Sequence, residues 1–216
     1  MPFNAIGSAI IGANIITVTP TIGDITVVSV NNTWNPSTGH VWGISGGGVT
    51  TWHLFQNTAA EYQISSTEAF GTAIFWGVVT SSGSSSITNN GGDYNGCLFI
   101  WQEFSSTYPV VEDNRGGSFA TSSGYGSSGN YASIVPGSIG ELFLGSFNDP
   151  SGTTVNTPTY AGFVYDSNAS TQFVYSLSVS EPNSYSPPWS IVSNDYWVTA
   201  CGCLVEVGYT TQVQIV

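Results

Sequence analysis

Short runs of Val, Ile, Thr, Phe, Tyr and Trp alternate with clusters of Gly, Asn, Ser and Pro along the whole chain. Within Glu141–Phe147, Leu142 and Leu144 fall on one face and Phe143 and Phe147 on the other; within Gly96–Phe104, Leu98 and Ile100 oppose Cys97, Phe99 and Trp101. A period of two marks extended backbone, whose successive side chains leave on opposite faces. Windows rich in Ala, Leu, Glu, Lys and Arg at helical spacing do not occur. The pattern predicts strands at Ile15–Thr19, Asp24–Val30, His40–Ser45, Thr51–Gln56, Ala69–Val79 and Ser85–Asn89. It continues with Gly96–Phe104, Tyr131–Val135, Glu141–Phe147, Gly162–Asp166, Gln172–Ser178 and Trp197–Val207, and a Gln212–Val216 tail that pairs at an edge. So many short strands with turn residues between them predict an all-β, two-sheet antiparallel β-sandwich of jelly-roll type in a single domain.

Several strands are apolar on both faces and need cover on both. Either loops of this chain or a neighbouring subunit is expected to supply it. The stretch EAFGTAIFWGVVTSSGSSSITNN, Glu68 to Asn90, is representative: Phe70, Ile74, Trp76 and Val78 share one face, and Ala69, Gly71, Ala73 and Gly77 share the other with Phe75 and Val79. The large face reads as core, and the small face permits close approach by a second layer. Residues 1–13 read as an N-terminal arm, residues 14–216 as the sandwich, and the Gly/Ser-rich stretch 105–130 as a long loop. One internal echo is visible: Ile22-Gly-Asp24-Ile-Thr-Val-Val-Ser29-Val-Asn31 parallels Ile139-Gly-Glu141-Leu-Phe-Leu-Gly-Ser146-Phe-Asn148.

Composition narrows the partners. Charged residues make up 6% of the 216 residues, against roughly 25% in ordinary soluble domains. Thirteen are acidic and one is basic, Arg115, for a net charge of -12. Nucleic acid is excluded, because phosphate binding needs several Lys or Arg; attraction to anionic lipid headgroups fails for the same reason. The apolar N-terminus lacks a basic n-region, so no signal peptide is expected. No uncharged apolar run reaches the ~18 residues of a membrane-spanning helix, and no membrane insertion is expected.

Chemistry-bearing residues are sparse. Cys97, Cys201 and Cys203 are an odd number for a disulfide framework and read as buried free thiols; the alternative is a Cys97 bridge to Cys201 or Cys203. His40 and His53 are not spaced as metal ligands, and neither metal nor cofactor is expected. No Gly-x-Ser-x-Gly elbow is present. Glu103 and Glu206 end long apolar strands and would form an acid/base pair only if those strands were neighbours; strand-end carboxylates on a solvent rim are the commoner case, and no catalytic residue is assigned. Asn90–Gly96 and Asn148–Gly152 are oxygen-rich but read equally well as tight turns. For carbohydrate stacking, Tyr108, Tyr125, Tyr160 and Tyr185 are available, while Trp42, Trp52, Trp76, Trp101 and Trp197 sit in strand patterns and default to core. Trp34 and Trp189, in loop-like NTWNPS and SPPWS, are the candidate ligand-stacking residues.

The segments Ile22-Gly-Asp24-Ile-Thr-Val-Val-Ser-Val, Gly46-Gly-Gly-Val-Thr-Thr-Trp52-His-Leu54 and Ala73-Ile-Phe-Trp76, followed by Glu103-Phe104-Ser105, Gly140-Glu141-Leu142 and Tyr196-Trp-Val-Thr-Ala, resemble concanavalin-like jelly-roll domains of bacterial surface proteins and tailed-phage virion proteins. The resemblance covers residues 14 to 207 and carries no catalytic residues over. Gly-Gly-Val-Thr-Thr-Trp52 stands where that family has Gly-Asn-Thr-Trp, and Ser-Ser follows Phe104 where Ser-Gly is usual. It implies a non-enzymatic structural virion protein, a minor tail, tail-tip or capsid-decoration component that meets other virion subunits and a host surface glycan; the strands apolar on both faces add the expectation of a homo-oligomer. The alternative is a secreted or cell-surface carbohydrate-binding module, and a third reading is a glycan-cleaving enzyme.

Overall fold

A computed structural model describes residues 3–91, 96–114 and 119–207. The first half of the chain contains β1 (Phe3–Ala13), β2 (Ile15–Val18), β3 (Ile25–Trp34), β4 (Ile44–Gly46), β5 (His53–Leu54), β6 (Ala60–Gln63), β7 (Ala69–Val78), β8 (Ser85–Asn89) and β9 (Gly96–Ser106). The second half contains β10 (Val110–Glu112), β11 (Phe119–Asn130), β12 (Ile139–Asn148), β13 (Val155–Asn156), β14 (Val164–Asn168), β15 (Thr171–Ser180) and β16 (Pro188–Glu206).

The expected antiparallel β-sandwich is the observed fold. One principal sheet runs β1-β9-β3-β7-β5, with β6 also on β7; the other runs β10-β16-β12-β15-β14, with β11 and β13 also on β16. Each is drawn from one half of the chain, and the passage between them is β9 to β10. Between the sheets lies the main core, where Ile25, Val27, Ile74 and Ile100 meet Leu142, Leu144, Phe173 and Ala200. Burial of such side chains contributes about 1.5–3 kcal/mol each.

The internal echo has a structural counterpart. β3 lies between β7 and β9, and β12 lies between β15 and β16, each at the centre of its sheet. The registers match residue for residue: Ile25 faces Phe104 as Leu142 faces Leu204, and Asn31 faces Thr72 as Asn148 faces Thr171. The equivalent serines meet across the interior, with Ser29 Oγ 2.5 Å from Ser146 Oγ. Thr72 Oγ1 bonds Ser146 Oγ and donates to Asn31 Oδ1, and Asn148 Nδ2 donates to the Gly71 carbonyl at 2.8 Å. A buried polar group without a partner costs about 1–3 kcal/mol. The mutual satisfaction of these groups therefore favours one alignment of the two sheets.

Cover for the outer faces comes from the chain itself. The three-stranded sheet β2-β8-β4 lies over the first sheet, where Ile16, Val18 and Ile87 pack on Val28, Val30, Phe75 and Phe99. Tyr131, Ile134, Val155, Trp189 and Ile191 cover the second, over Phe143, Phe147 and Val174. The small face of β7 is closed in the same way: a Cβ on Gly71 would lie 2.9 Å from Trp42 Cζ2.

Four expectations need correction. The first thirteen residues are not a detached arm: Phe3–Ala13 pairs with β9, and Phe3 is fully buried in the core. Gly7, Gly12 and Asn14, which disguise this strand, coincide with a register shift between Ile6 and Ile10 and with the turn into β2. The stretch 105–130 is not one loop, because β9 runs to Ser106, β10 follows, and Phe119–Asn130 pairs with β16. β11 reads as a loop because its glycines look like turns. Two of the three face tryptophans instead: a Cβ on Gly124 would lie 2.8 Å from Trp197 Cζ2, and one on Gly129 2.8 Å from Trp189 Cζ2. Neither stacking candidate sits in a loop: Trp34 ends β3, and Trp189 is the second residue of β16, which begins at Pro188. Tyr131–Val135 contributes only a bridge from Ile134 to Tyr185. The Gln212–Val216 tail, Arg115 and the 92–95 part of the first oxygen-rich turn lie outside the described residues.

Candidate functional site

Each principal sheet ends in an interrupted edge. β5 and β6 both pair with β7 and are separated by a turn at Phe55–Asn57; β10 and β11 both pair with β16. The two interruptions clasp each other. Glu112 on β10 accepts the Gln56 backbone N–H at 2.9 Å with Oε2 and the Trp76 indole N–H at 2.7 Å with Oε1. Beyond this clasp β6 runs beside β11, and a groove lies along β6, bordered on one side by Thr121–Ser123 of β11.

Strand alternation lines that groove. Ala60 and Tyr62 of β6 turn toward the core, which puts Glu61 and Gln63 on the opposite face. Glu61 Oε1 accepts the Trp42 indole N–H at 2.5 Å. Beside it Trp34 stacks on His40, with centroids 4.0 Å apart and planes 10° apart, and Trp42 stands edge-on to His40 at 4.7 Å. A hollow of about 380 Å³ is walled by Trp34, His40, Glu61, Tyr62 and Gln63, and a second of about 300 Å³ by Ala59, Ala60, Glu61 and Thr121–Ser123. Glu61 borders both. Tyr62 stacks on Tyr196 of β16 at 5.2 Å, and Tyr196 meets Tyr125 of β11 edge-on at 5.1 Å. Tyr125 is 64% exposed. Rings of this kind favour half-wet surfaces, the Ser and Thr hydroxyls both donate and accept, and an ionised carboxylate makes stronger hydrogen bonds than a neutral group.

The two predicted stacking residues part company. Trp34 is 5% exposed and forms a wall of the groove, so it supports the site without offering a ring face to it. Trp189 is corrected: at 1% exposure it packs against Phe147 and Trp197 beneath β11, where no ligand reaches it. Glu61, Tyr62 and Tyr196 escaped the sequence reading. The Ala-Glu-Tyr-Gln alternation at 60–63 is the signal that could have found the first two.

Glu103 and Glu206 do not form a pair. Glu103 Oε1 accepts the Thr21 N–H at 2.6 Å, and Glu206 Oε1 accepts the N–H groups of Thr107 at 2.6 Å and Tyr108 at 3.2 Å. Each carboxylate holds a different turn. The neighbour of Glu103 is Asp24, with which it shares a hydrogen bond. Burial raises the pKa of Glu103, and the adjacent Asp24 charge raises it further; burial also raises Asp24.

Asp149, in the second oxygen-rich turn, is occupied by its own loop: it accepts from the Ser151 N–H and hydroxyl at 3.0 Å each and from the Thr153 hydroxyl. Among the described residues, no group of three or more His, Cys, Asp or Glu side chains is placed to hold a metal ion. Cys97, Cys201 and Cys203 are buried free thiols, with burial lifting Cys97 and Cys201 to about 12 and Cys203 well above its ordinary value. Among the described residues no helix is long and apolar enough to cross a membrane. Comparison with protein-family models, curated proteins and solved structures finds no match to this chain.

Proposed function

We propose that this chain is a non-enzymatic structural protein of a tailed-phage virion, a minor tail, tail-tip or capsid-decoration component, which contacts host-surface glycan through the groove between β6 and β11. The groove is the observation that carries the reading: aromatic rings and hydroxyls gathered around an exposed carboxylate, in a chain whose only basic side chain is Arg115. Placement in a virion draws its support from the resemblance of the turn-and-strand motifs. Contact with further subunits, a second copy among them, would use the apolar end of the sandwich, where Ile22, Val78, Tyr108 and Val207 are 43–59% exposed around a hollow bordered by Gly23, Ile25 and Pro109. The outer faces of the sheets offer little to such a contact, being already covered.

A secreted or cell-surface carbohydrate-binding module would use the same groove, so it is separated by location rather than by chemistry. Mass spectrometry of purified particles from the host culture is expected to recover this chain at stoichiometric level. Its exclusive recovery from cell walls or medium would favour the module. The hydrolase reading has little support, because Glu103 and Glu206 each serve a backbone turn. Glycan cleavage lost in Glu103→Gln would restore it.

A further inference from the structure

We infer that the groove is built for a chain of uncharged sugars lying across Glu61, with one binding position in each of the two hollows. This rests on the glycan-binding reading above and narrows it to a class of ligand. Glu61 is the common wall of both hollows, on an edge strand with nothing paired beyond it among the described residues. A ligand that fills both must therefore pass over its carboxylate. Trp42 holds Oε1, and Oε2 has no hydrogen bond among the described residues. A carboxylate oxygen fixed in this way can accept from sugar hydroxyls on either side of the ridge, which a neutral residue would do less strongly.

The two hollows differ in what they offer. The first brings ring surface, the edge of Tyr62 with Trp34 and His40 behind it. The second is walled by Thr121, Ser122 and Ser123, of which strand alternation puts the hydroxyls of Thr121 and Ser123 on the outer face, and Tyr125 on that face carries the aromatic strip of Tyr62 and Tyr196 outward. The ring edge of Tyr62, the exposed ring of Tyr125 beside the second hollow, and paired donors and acceptors suit a pyranose, which has apolar ring faces and a hydroxyl rim. Anionic sugars are disfavoured, since neither hollow has a Lys or Arg among the described residues of its walls and the chain carries a net charge of -12. Cationic amino sugars would be drawn to Glu61, but salt would weaken their binding strongly. A neutral chain held by stacking and hydroxyl contacts would be nearly indifferent to salt.

The test is calorimetric titration of the full chain with neutral hexose oligomers of increasing length, alongside N-acetylated, deacetylated amino and phosphorylated counterparts, at low and high salt. Neutral oligomers are expected to bind more tightly than the single sugar, with little salt dependence. Glu61→Gln should weaken them about tenfold, the difference between a charged and a neutral hydrogen bond. Tyr125→Ala should weaken the longer oligomers and leave the single sugar unchanged. Both substitutions are on exposed residues, and thermal melts of each variant check that the fold survives. Equal affinity for single sugar and oligomer, or preference for the amino or phosphorylated forms, overturns the inference while glycan binding itself stands. Absence of binding to every glycan, or binding unmoved by Glu61→Gln and by Tyr62→Ala, overturns both.

Discussion

Phe55 and Gly202 form a pair whose energetics can be worked out before measurement. The Phe55 ring is fully buried and lies against Phe119 at 5.7 Å. It reaches there from the β5–β6 turn, where Gln56 and Asn57 take left-handed backbone angles, φ 52° and 50°. Opposite the ring is Gly202 of β16: a Cβ there would lie 2.4 Å from Phe55 Cε1 and 2.9 Å from Cδ1 and Cζ. Phe55→Ala removes a core ring, at a cost of about 3–5 kcal/mol. Gly202→Ala forces the ring to move, at a cost of about 1–3 kcal/mol for overpacking. In the double variant the new methyl enters the vacated space, so the Gly202→Ala penalty should vanish and the cycle should be non-additive by about 1–3 kcal/mol. At about 2–4 °C per kcal/mol for a chain of this size, Phe55→Ala alone should lower Tm by roughly 6–20 °C. Urea titration of the four proteins gives the cycle directly. Additivity within about 0.5 kcal/mol would refute the argument, since it would mean that ring and glycine do not meet.

The Asp24–Glu103 pair predicts a pH dependence of defined sign. Both groups bind their protons more tightly in the folded chain, so their contribution is fully present below the ordinary values of 3.8 and 4.5 and is lost as pH rises through the raised values. Glu103→Gln keeps an acceptor for the Thr21 N–H and supplies an amide donor to Asp24, so Tm should become less dependent on pH across that window; an unchanged slope would remove the pair from the explanation. Ser146→Ala leaves Ser29 and Thr72 each short of a buried partner and should cost about 1–3 kcal/mol in chemical denaturation, whereas Ser82→Ala, at an exposed loop position, should stay within about 0.5 kcal/mol. Glu112→Ala frees both the Gln56 N–H and the Trp76 indole, and hydrogen exchange of the Phe55–Ala60 amides should accelerate at least tenfold; unchanged protection would show that the clasp does not hold the turn. All three thiols should resist an aromatic disulfide reagent in native buffer and react on unfolding.

Alternation alone made most long strands readable, because the two faces of β7, β9 and β12 bury different cores and their sequences say so. The opposite case is β11, where Thr, Ser and Gly carry no apolar signal. Its pairing depends on indole rings from a strand some seventy residues later, and only the register reveals that Gly124 and Gly129 lie beneath them. Trp189 was misread for the same reason, since the prolines before it look like a turn until β16 is traced through them. The groove was half legible: Tyr125 and Trp34 stood out as aromatics in polar surroundings. Glu61 became meaningful only when the path of the chain brought Trp42 and Ser122 to either side of it. The internal echo was readable as a repeat, but not as two strands stacked serine to serine.

That stacking makes the molecule an intramolecular dimer. Where the halves touch, equivalent positions carry similar side chains: Ile25 and Leu142, Val27 and Leu144, Ser29 and Ser146, Asn31 and Asn148. Where each faces its own cover, they have parted: Thr26 and Phe143, Val28 and Gly145, Val30 and Phe147. A change at the shared interface must be tolerated by both halves at once, whereas a change beneath either cover is answered locally. The fold thus couples its two halves at the centre and leaves each cover to be matched by its own half alone.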